Sequence, residues 1–335
     1  MVDGPRRSLR PQYGSRCLAA RLKGGCFRST LEVVTREGDE HGRSRRYAGA
    51  ALAAAALLVT VPAAAHAGGD EGIDLGTAGG LNYRVNISDD FGGDALSSFV
   101  ACLGGARPIA GGIDLQGSAT ASRMGGSYPV KEFGPLIWRT TGHNLIGGTM
   151  DMSFFGICRE KQPTMTRFPS VTRPFNPNKQ RTVRAPCPQG FRVTGGGIQS
   201  SNPLVSANRP YDGKDEDKKP DDGWKVTALN LQPIPEELTA HASCRKAGSW
   251  DLKYLREEGT VGGGSSTVST DICPAGVVAG GGASISGAAG TVRLHETYPA
   301  DVGDIDETPE DGWTTSLRNG GMGPANGVFY AICKV

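Results

Sequence analysis

Aromatic residues, histidine and net charge are all scarce in this sequence. Aromatic residues make up 7% of its 335 residues, it has five histidines, and 36 Lys and Arg nearly balance 34 Asp and Glu. A chain with so little excess of positive charge is not typical of a nucleic-acid-binding protein. The hydrophobic share of 38% still suffices for a packed core, which argues against a fibrous or wholly disordered chain.

Helical periodicity and recognisable catalytic motifs are also lacking. No window of 12 residues carries a convincing 3.6-residue apolar stripe, and 50 glycines would break the helices of a bundle. The chain has no G-x-S-x-G or H-E-x-x-H motif and no phosphate-binding glycine loop. His143, His241 and His295 do not have the spacing of metal ligands. We therefore expect no catalytic residue, no metal and no cofactor, and a non-enzymatic protein rather than an enzyme.

The one long apolar run lies near the beginning of the chain. Residues 43–67 contain Arg-Ser-Arg-Arg, then an apolar run of 14 residues from Ala48 to Val61, then Ala65-His66-Ala67. A charged segment, an apolar core too short to span a bilayer and an A-x-A site predict a secretory signal peptide that is cleaved after Ala67. Ser44-Arg45-Arg46 leaves the twin-arginine export route open. Residues 1–42 show no periodicity, and we expect them to be a non-structural extension.

Removal of residues 1–67 changes both the charge and the cysteine count. The remaining residues hold 25 Lys and Arg against 29 Asp and Glu, a net charge of −4, and show no basic stripe. Cys17 and Cys26 leave with the leader, so six of the eight cysteines remain. An even number of cysteines in an exported chain indicates disulfide bonds and an extracellular location.

The six remaining cysteines recur with a regular spacing. They are Cys102, Cys158, Cys187, Cys244, Cys273 and Cys333. The first members of successive pairs are 85 and 86 residues apart, and their partners follow after 56, 57 and 60 residues. Of the possible connectivities, a threefold repeat favours the pairs 102–158, 187–244 and 273–333.

Other residues keep the same register as the cysteines. A tryptophan stands 20 residues before each closing cysteine, and an asparagine follows each tryptophan by six: Trp138, Trp224 and Trp313, with Asn144, Asn230 and Asn319. A glycine-rich step follows each opening cysteine, as in Cys187-Pro-Gln-Gly-Phe-Arg-Val-Thr-Gly-Gly-Gly197, and is expected to permit close backbone packing. Tyr128-Pro129 and Tyr298-Pro299 have an inverted counterpart in Pro210-Tyr211. These matches predict three repeats, over residues 74–158, 159–244 and 245–335.

The local pattern within the repeats is that of strands. From Leu81 to Ser88, apolar and polar residues alternate with the period of a half-buried strand. The residues 223–230 and 312–319 read as strands that end in turns, and the segments before Cys158 and Cys333 are aromatic and β-rich. We predict four to six strands per repeat and an all-β fold of three pseudosymmetric antiparallel repeats, arranged as a prism or a sandwich. Each repeat would hold one disulfide, between its first strand and its last.

The order of these motifs resembles known families. Cys-Pro-x-Gly, Gly-Gly-Gly, Tyr-Pro, Gly-Trp and Ala-Ile-Cys, best seen between Cys273 and Cys333, resemble a repeat of uncharacterised secreted proteins of high-GC bacteria. This resemblance covers about residues 75–335. The Cys-Pro-x-Gly opening and the threefold build are also similar to the vitelline membrane outer layer proteins, which implies a β-prism. Neither resemblance implies a catalytic residue.

Two groups of residues are candidate binding sites. Trp138, Trp224 and Trp313 could stack on sugars, but a tryptophan at the same position of every repeat is typical of a core. The acidic segments 212–222 and 301–311 could bind Ca²⁺ outside the cell. We expect solvated loops instead, because no bidentate Glu closes them and repeat one has only Lys131-Glu132 there.

Taken together, these patterns predict a secreted, disulfide-stapled β-repeat protein with a structural or binding role at the cell surface or outside the cell. Glycan is the ligand class that such a binding role would favour, and the ligand-binding residues stay unknown. The alternative is a secreted hydrolase with carboxylates in its loops, because glycosidases leave no local spacing signature. We expect no nucleic-acid partner and no transmembrane segment after the leader.

Overall fold

The computed structural model describes residues 72–92, 94–131, 136–159, 165–213, 217, 219–302 and 306–335. The predicted extension, signal peptide and cleavage site lie outside these residues. The described residues belong to one compact unit and contain β-strands and one short 3₁₀ turn, Leu103–Gly105. No helix among them is long and apolar enough to cross a membrane.

Twenty strands follow one another along the described chain. Repeat one contains β1 (Ile73–Ala78), β2 (Leu81–Phe91), β3 (Ala95–Ala101), β4 (Arg107–Gln116), β5 (Ser122–Lys131), β6 (Leu136–Asn144) and β7 (Met150–Arg159). Repeat two contains β8 (Thr166–Arg167), β9 (Ser170–Phe175), β10 (Gln180–Pro186), β11 (Phe191–Gln199), β12 (Pro203–Tyr211), β13 (Gly223–Asn230) and β14 (Glu236–Lys246). Repeat three contains β15 (Leu252–Val261), β16 (Ser266–Ile272), β17 (Val277–Ser286), β18 (Val292–Ala300), β19 (Gly312–Asn319) and β20 (Ala325–Lys334). The prediction of at most six strands is wrong for repeats one and two, because β1 and β8 add to the six shared positions.

The strands form three antiparallel sheets. Sheet I has the order β1-β2-β7-β4-β18-β19-β16, and sheet III has the order β10-β13-β12-β17-β20-β15. Sheet II has the order β3-β6-β5-β11-β14-β8, with β9 also paired to β14. Apolar side chains of all three sheets, such as Ile113, Leu238 and Val226, meet in one core cluster. The all-β prediction is therefore confirmed, and the three sheets form the prism rather than the sandwich.

Each sheet combines strands of two repeats. In sheet I, β2, β7 and β4 of repeat one are continued by β18, β19 and β16 of repeat three. Sheet II joins repeats one and two in the same way, and sheet III joins repeats two and three. The junctions pair Ile113 with Thr297, Ser127 with Ile198, and Ala207 with Ser284. The three segments predicted as repeats are therefore successive in sequence but interleaved in space.

A tryptophan of one sheet packs on a glycine of the next. The indole of Trp224 in β13 lies against Gly196 in β11, where even a methyl group would overlap the ring, and its Nε1 donates to Asn208 Oδ1 at 2.7 Å. The same arrangement recurs twice: Trp138 on Gly111 with Ser127 Oγ, and Trp313 on Gly281 with Thr297 Oγ1. All three tryptophans are 0–1% exposed. The glycine-rich steps thus permit close packing between sheets, as predicted.

The next glycine of each step lies at a junction between two repeats. A Cβ on Gly197 in β11 would overlap the carbonyl oxygen of Ser127 in β5. Gly112 and Gly282 approach the backbone of the neighbouring repeat in the same way. A side chain at these positions would force the paired strands apart, so the junctions of all three sheets depend on glycine.

Three disulfides are present among the described residues. They are Cys102–Cys158, Cys187–Cys244 and Cys273–Cys333, the predicted pairs. The prediction that they join the first and last strands of a repeat is wrong. Each opening cysteine directly follows an edge strand (β3, β10 or β16), and each closing cysteine lies in an inner strand of the adjacent sheet (β7, β14 or β20). Each disulfide therefore links the end of an edge strand in one sheet to an inner strand of the adjacent sheet.

The recurring glycine and asparagine residues shape the turns. The glycine three residues after each opening cysteine has a positive φ, 77° at Gly105, 79° at Gly190 and 77° at Gly276. This conformation favours glycine and explains the last position of the Cys-Pro-x-Gly motif. Asn230 accepts from Gln232 N at 2.7 Å and donates to Ile234 O at 3.1 Å, which closes the turn after β13. Asn144 and Asn319 make equivalent bonds in the other two repeats.

The fourth tryptophan lies at the end of the prism that carries the disulfides. Trp250 stands in the connection from β14 to β15, and the guanidinium carbons of Arg245 and Arg159 lie 4.3 and 4.5 Å from its ring centroid. Lys334 Nζ lies at 5.2 Å. Each of these cations directly follows a closing cysteine, so β7, β14 and β20 supply one each. Cation–π attraction thus holds Trp250 where the three repeats meet.

Candidate functional site

The three repeat tryptophans are not available to a ligand. Trp138, Trp224 and Trp313 are fully buried, and each Nε1 already donates to a side chain of the core. Stacking of these rings on a sugar is therefore excluded. They are core residues, as their fixed position in the repeat predicts.

The acidic segments are described in part, because residues 214–216, 218 and 303–305 lie outside the described residues. In the first segment, Asp221 is buried and its Oδ2 lies 3.0 Å from Arg192 Nε. In the second, Asp311 Oδ2 accepts a hydrogen bond from Val302 N at 3.0 Å. Within the described part of the chain, no group of His, Cys, Asp and Glu is arranged to hold a metal ion. That these segments do not bind calcium tightly stays a prediction.

Strand pairing corrects the alignment of repeat two. Pro129, Pro210 and Pro299 each lie opposite the repeat tryptophan of the adjacent strand. The predicted inversion of Tyr-Pro to Pro-Tyr is therefore wrong. The proline keeps its position, and Arg209 stands where the other repeats have a tyrosine.

These three positions each contact a ring across a sheet junction. Two of the contacts are aromatic stacks: Tyr128 on His241 with centroids 5.3 Å apart, and Tyr298 on Phe155 at 5.6 Å. In sheet III, the Arg209 guanidinium instead lies 5.1 Å from the ring centroid of Tyr330. His241 therefore occupies the position that Phe155 and Tyr330 have in the other two repeats. Burial lowers the pKa of His241 to about 4, so this ring is neutral at physiological pH.

Sheet III carries further cations on both sides of the contact between Arg209 and Tyr330. Strand pairing places Arg184, Lys225 and Arg209 side by side on β10, β13 and β12, and Arg256 beside Tyr330 on β15 and β20. Residues opposite each other in antiparallel strands share one face of the sheet. Because Trp224, next to Lys225, is in the core, this face is the outer one. We call Arg184, Lys225, Arg209, Tyr330 and Arg256 the basic row.

The equivalent described positions of the other two sheets hold one arginine between them. They are Phe99, Arg139, Tyr128, His241 and Ser170 in sheet II, and Thr270, Thr314, Tyr298, Phe155 and Val85 in sheet I. The backbone frame is thus the same on three faces, while the cations are concentrated on sheet III.

The basic row lines a groove of about 370 Å³, together with Tyr211, Asp212 and Pro220. Arg209 Nη1 donates to the Tyr330 hydroxyl at 3.0 Å and to Pro210 O at 2.9 Å, which fixes its guanidinium. The Arg184 guanidinium lies 5.9 Å from the ring centroid of Tyr211. The volume is within the range of about 300–1,000 Å³ that is usual for small-ligand sites. The groove therefore combines preorganised N–H donors with an aromatic wall.

Positive charge is crowded in this groove. Burial, with help from Arg209 and Arg184, lowers the pKa of Lys225 to about 8. Burial also lowers the pKa of Arg209. The described carboxylates near these cations are Asp212 in the lining, Asp222 beside Tyr211, and Glu258, which forms an ion pair with Arg256. Among the described residues, four cations thus exceed three carboxylates, and a bound anion would offset the cost of keeping the cations charged.

Sheet I has a carboxyl pair beside its own junction. Burial and the neighbouring Glu296 raise the pKa of Asp114 to about 7, because two adjacent carboxylates repel when both are ionised. Glu296 Oε2 also lies 3.6 Å from His295 Nδ1, and His295 Nε2 lies 2.7 Å from Ser122 Oγ. This Ser-His-Glu order is that of a hydrolase triad. However, Ser122 and His295 are buried, so the hydroxyl cannot reach a substrate.

The basic row was not among the sites predicted from the sequence. Its five residues come from five strands of two repeats, and only the exchange of strands brings them together. One signal was present in the sequence, the arginine at position 209 in place of tyrosine, and alignment on Tyr-Pro concealed it. No protein-family model matches this chain, and no curated protein matches it either. The site itself is therefore the basis for assigning a function.

Proposed function

We propose that the protein is exported by the leader at residues 43–67 and binds an acidic glycan, outside the cell or at its surface, through the groove of the basic row. The observation that carries this proposal is the concentration of four cations on the outer face of sheet III. The same positions on two faces of the same frame carry one arginine, so the fold does not require these cations.

Three disulfides among the described residues support a site of action in an oxidising compartment. Such bonds form and persist in exported proteins and are rare in the cytosol. They also support the export that the leader predicts, since the six cysteines are those that remain after its removal.

The chemistry of the groove favours an anionic ligand of short length. Guanidinium groups bind carboxylate, sulfate and phosphate through charged, directional hydrogen bonds. Tyr211 and Pro220 supply apolar surface against which a sugar ring can pack. Over the described part of sheet III the cations of the basic row line one groove, whereas a nucleic-acid site typically has a longer basic stripe.

Titration calorimetry of the mature protein tests this proposal. We expect a uronate oligosaccharide or a sulfated oligosaccharide to bind, a neutral oligosaccharide of equal length not to bind, and the affinity to fall with added salt. Arg209→Ala should weaken binding by about tenfold or more, since it removes charged hydrogen bonds. Arg181→Ala is the matched control, because Arg181 is exposed on β10 but belongs to the face opposite Arg184.

Two outcomes would contradict the proposal. Equal affinity for neutral and acidic sugars would show that charge does not determine binding. An equal loss of affinity in the Arg181 and Arg209 variants would show that the ligand does not bind in the groove. The alternative, a secreted hydrolase, is tested by chromatography of the same mixtures. Shortened oligosaccharides would establish cleavage in place of simple binding.

A further inference from the structure

The two ends of the prism differ in composition. Strand pairing places Phe91 beside Met150, Gln116 beside Asp151, and Val292 beside Asn319, so the connections next to them lie at one end. We call this the turn end, formed by residues 92, 94, 117–121, 145–149, 176–179, 200–202, 231–235, 262–265, 287–291 and 320–324. The opposite end carries the disulfides, Trp250 and the described parts of both acidic segments.

Charge is nearly absent from the sequence of the turn end. Asp94 and Lys179 are the charged residues of its connections. Three charged strand residues also bond to this end: Glu236 accepts from Ser200 and Ser201, Arg123 donates to Asn202 Oδ1, and Arg293 donates to Ala119 O at 2.6 Å. A charge carried into the hydrocarbon of a lipid bilayer is costly, whereas an apolar side chain that enters the boundary between headgroups and acyl chains is stabilised there. Connections with few charges therefore suit the insertion of apolar side chains.

Exposed apolar side chains project from three equivalent connections of the turn end. They are Ile146 after Asn144, Ile234 after Asn230 and Met322 after Asn319. Ile146 is 75% exposed, Ile234 is 61% exposed and Met322 is fully exposed. Leu145 and Leu231 beside them are also exposed. Each repeat thus supplies one apolar tip.

The three tips lie on turns that are held by hydrogen bonds from an asparagine side chain. The asparagine side chain at the base of each turn accepts from one backbone N–H and donates to a backbone carbonyl of the same turn. Because these bonds hold the turn, the tip side chain is presented to the surroundings and does not fold back onto the core. The three tips stand on separate turns, and a soft apolar phase can surround each of them.

We propose that the turn end inserts Ile146, Ile234 and Met322 into the interfacial region of a lipid bilayer. This goes beyond the proposed function, since the tips share no residue with the basic row. Lys225 and Arg209 lie near the Cys187 end of their strands, so the groove is at the half of the molecule far from the tips. Binding strength at such an interface scales with the apolar area that is buried.

Co-sedimentation with neutral phosphatidylcholine vesicles tests this inference, because neutral lipid gives the basic row no charge to bind. We expect the mature protein to pellet with the vesicles at low and at high salt. Combined substitution Ile146→Ser, Ile234→Ser and Met322→Ser should lower the partition coefficient by about 1,000-fold, since each of the three buried side chains contributes about tenfold. The matched control is Ile272→Ser with Val302→Ser, two exposed apolar residues of the opposite end, which should bind as the unchanged protein does.

The outcomes are separable from those of the glycan test. Absence of vesicle binding, or equal binding by the tip variant, overturns this inference and leaves the groove untouched. Sedimentation velocity without lipid tests the other occupant, a second copy of the chain. A dimer that the tip substitutions convert to monomer, together with no vesicle binding, assigns the turn end to self-association and overturns the lipid assignment. Circular dichroism of every variant verifies that the fold is retained.

Discussion

Replacement of Gly281 by alanine should destabilise the protein by about 3 kcal/mol, although it adds a single methyl group. The added Cβ would lie 2.5 Å from both Trp313 Cδ1 and the carbonyl oxygen of Tyr330. Carbon atoms in contact are normally about 3.5–4.0 Å apart. The indole is held by its bond to Thr297, and the Tyr330 carbonyl belongs to the β17–β20 pairing. Since neither neighbour can move freely, the cost falls at the upper end of the roughly 1–3 kcal/mol that overpacking causes.

Urea denaturation of the oxidised protein, followed by far-ultraviolet circular dichroism, measures this change in the free energy of unfolding. Gly323→Ala is the matched control, because nothing lies within 4 Å of the Cβ that it adds. We expect the control to change stability by less than about 0.5 kcal/mol. A Gly281→Ala protein as stable as this control would refute the packing argument.

A double-mutant cycle with Trp313→Ala identifies the cause. Removal of the indole alone should cost about 3–5 kcal/mol. In the combined variant the overlap with the indole disappears, while the overlap with the Tyr330 carbonyl remains. The combined variant should therefore lose at least about 1 kcal/mol less stability than the sum of the losses in the two single variants. Strict additivity would show that the indole does not limit the space at Gly281.

Four further outcomes are expected. Cys273→Ser, which opens a loop with a sequence separation of 60, should lower stability by about 4 kcal/mol in chemical denaturation under oxidising conditions, and an unchanged midpoint would contradict this. Trp250→Ala should cost about 3 kcal/mol in the same assay, because a large ring and three cation–π contacts are lost, whereas Trp250→Phe should recover part of that loss. Because the pKa of Asp114 is raised, the contribution of this carboxyl to stability is complete below about pH 4 and is lost as pH rises to about 7. Asp114→Asn should therefore be as stable as the unchanged protein at pH 4 and more stable at pH 8. Acidic-glycan affinity should fall as pH rises through about 8, where Lys225 loses its proton, and Lys225→Arg should abolish this pH dependence in calorimetry.

The features that could be predicted from the sequence are those that repeat. Cysteine pairing, buried tryptophan and close-packed glycine each leave the same residue at the same position three times, because the same packing problem occurs three times. Trp224 and Asn230, for example, keep their spacing to Cys244 since that spacing follows from the length of two strands and one turn. The all-β class followed from period-two alternation and from the density of glycine.

The features that escaped prediction are those that depend on which strands become neighbours. Sequence periodicity reports where a repeat begins and ends, but the sheet to which each strand belongs is decided by long-range pairing such as that between Ala207 and Ser284. The candidate site was missed for a related reason. Its residues differ from those at the same positions of the other repeats, as Arg209 differs from tyrosine, so the pattern shared by the repeats does not indicate them.

The exchange of strands between repeats also determines what a single repeat can do on its own. Each repeat holds half of one sheet and half of another, and the two halves end in strands whose partners belong to different repeats. One repeat alone would expose two such edges and leave its tryptophan side chain without the glycine surface of the partner sheet. Identical single-repeat chains could satisfy every edge only as a closed ring of three, in which each chain completes the sheets of both neighbours. The present chain is the covalent form of that ring, with its first and last repeats paired through β4 and β18.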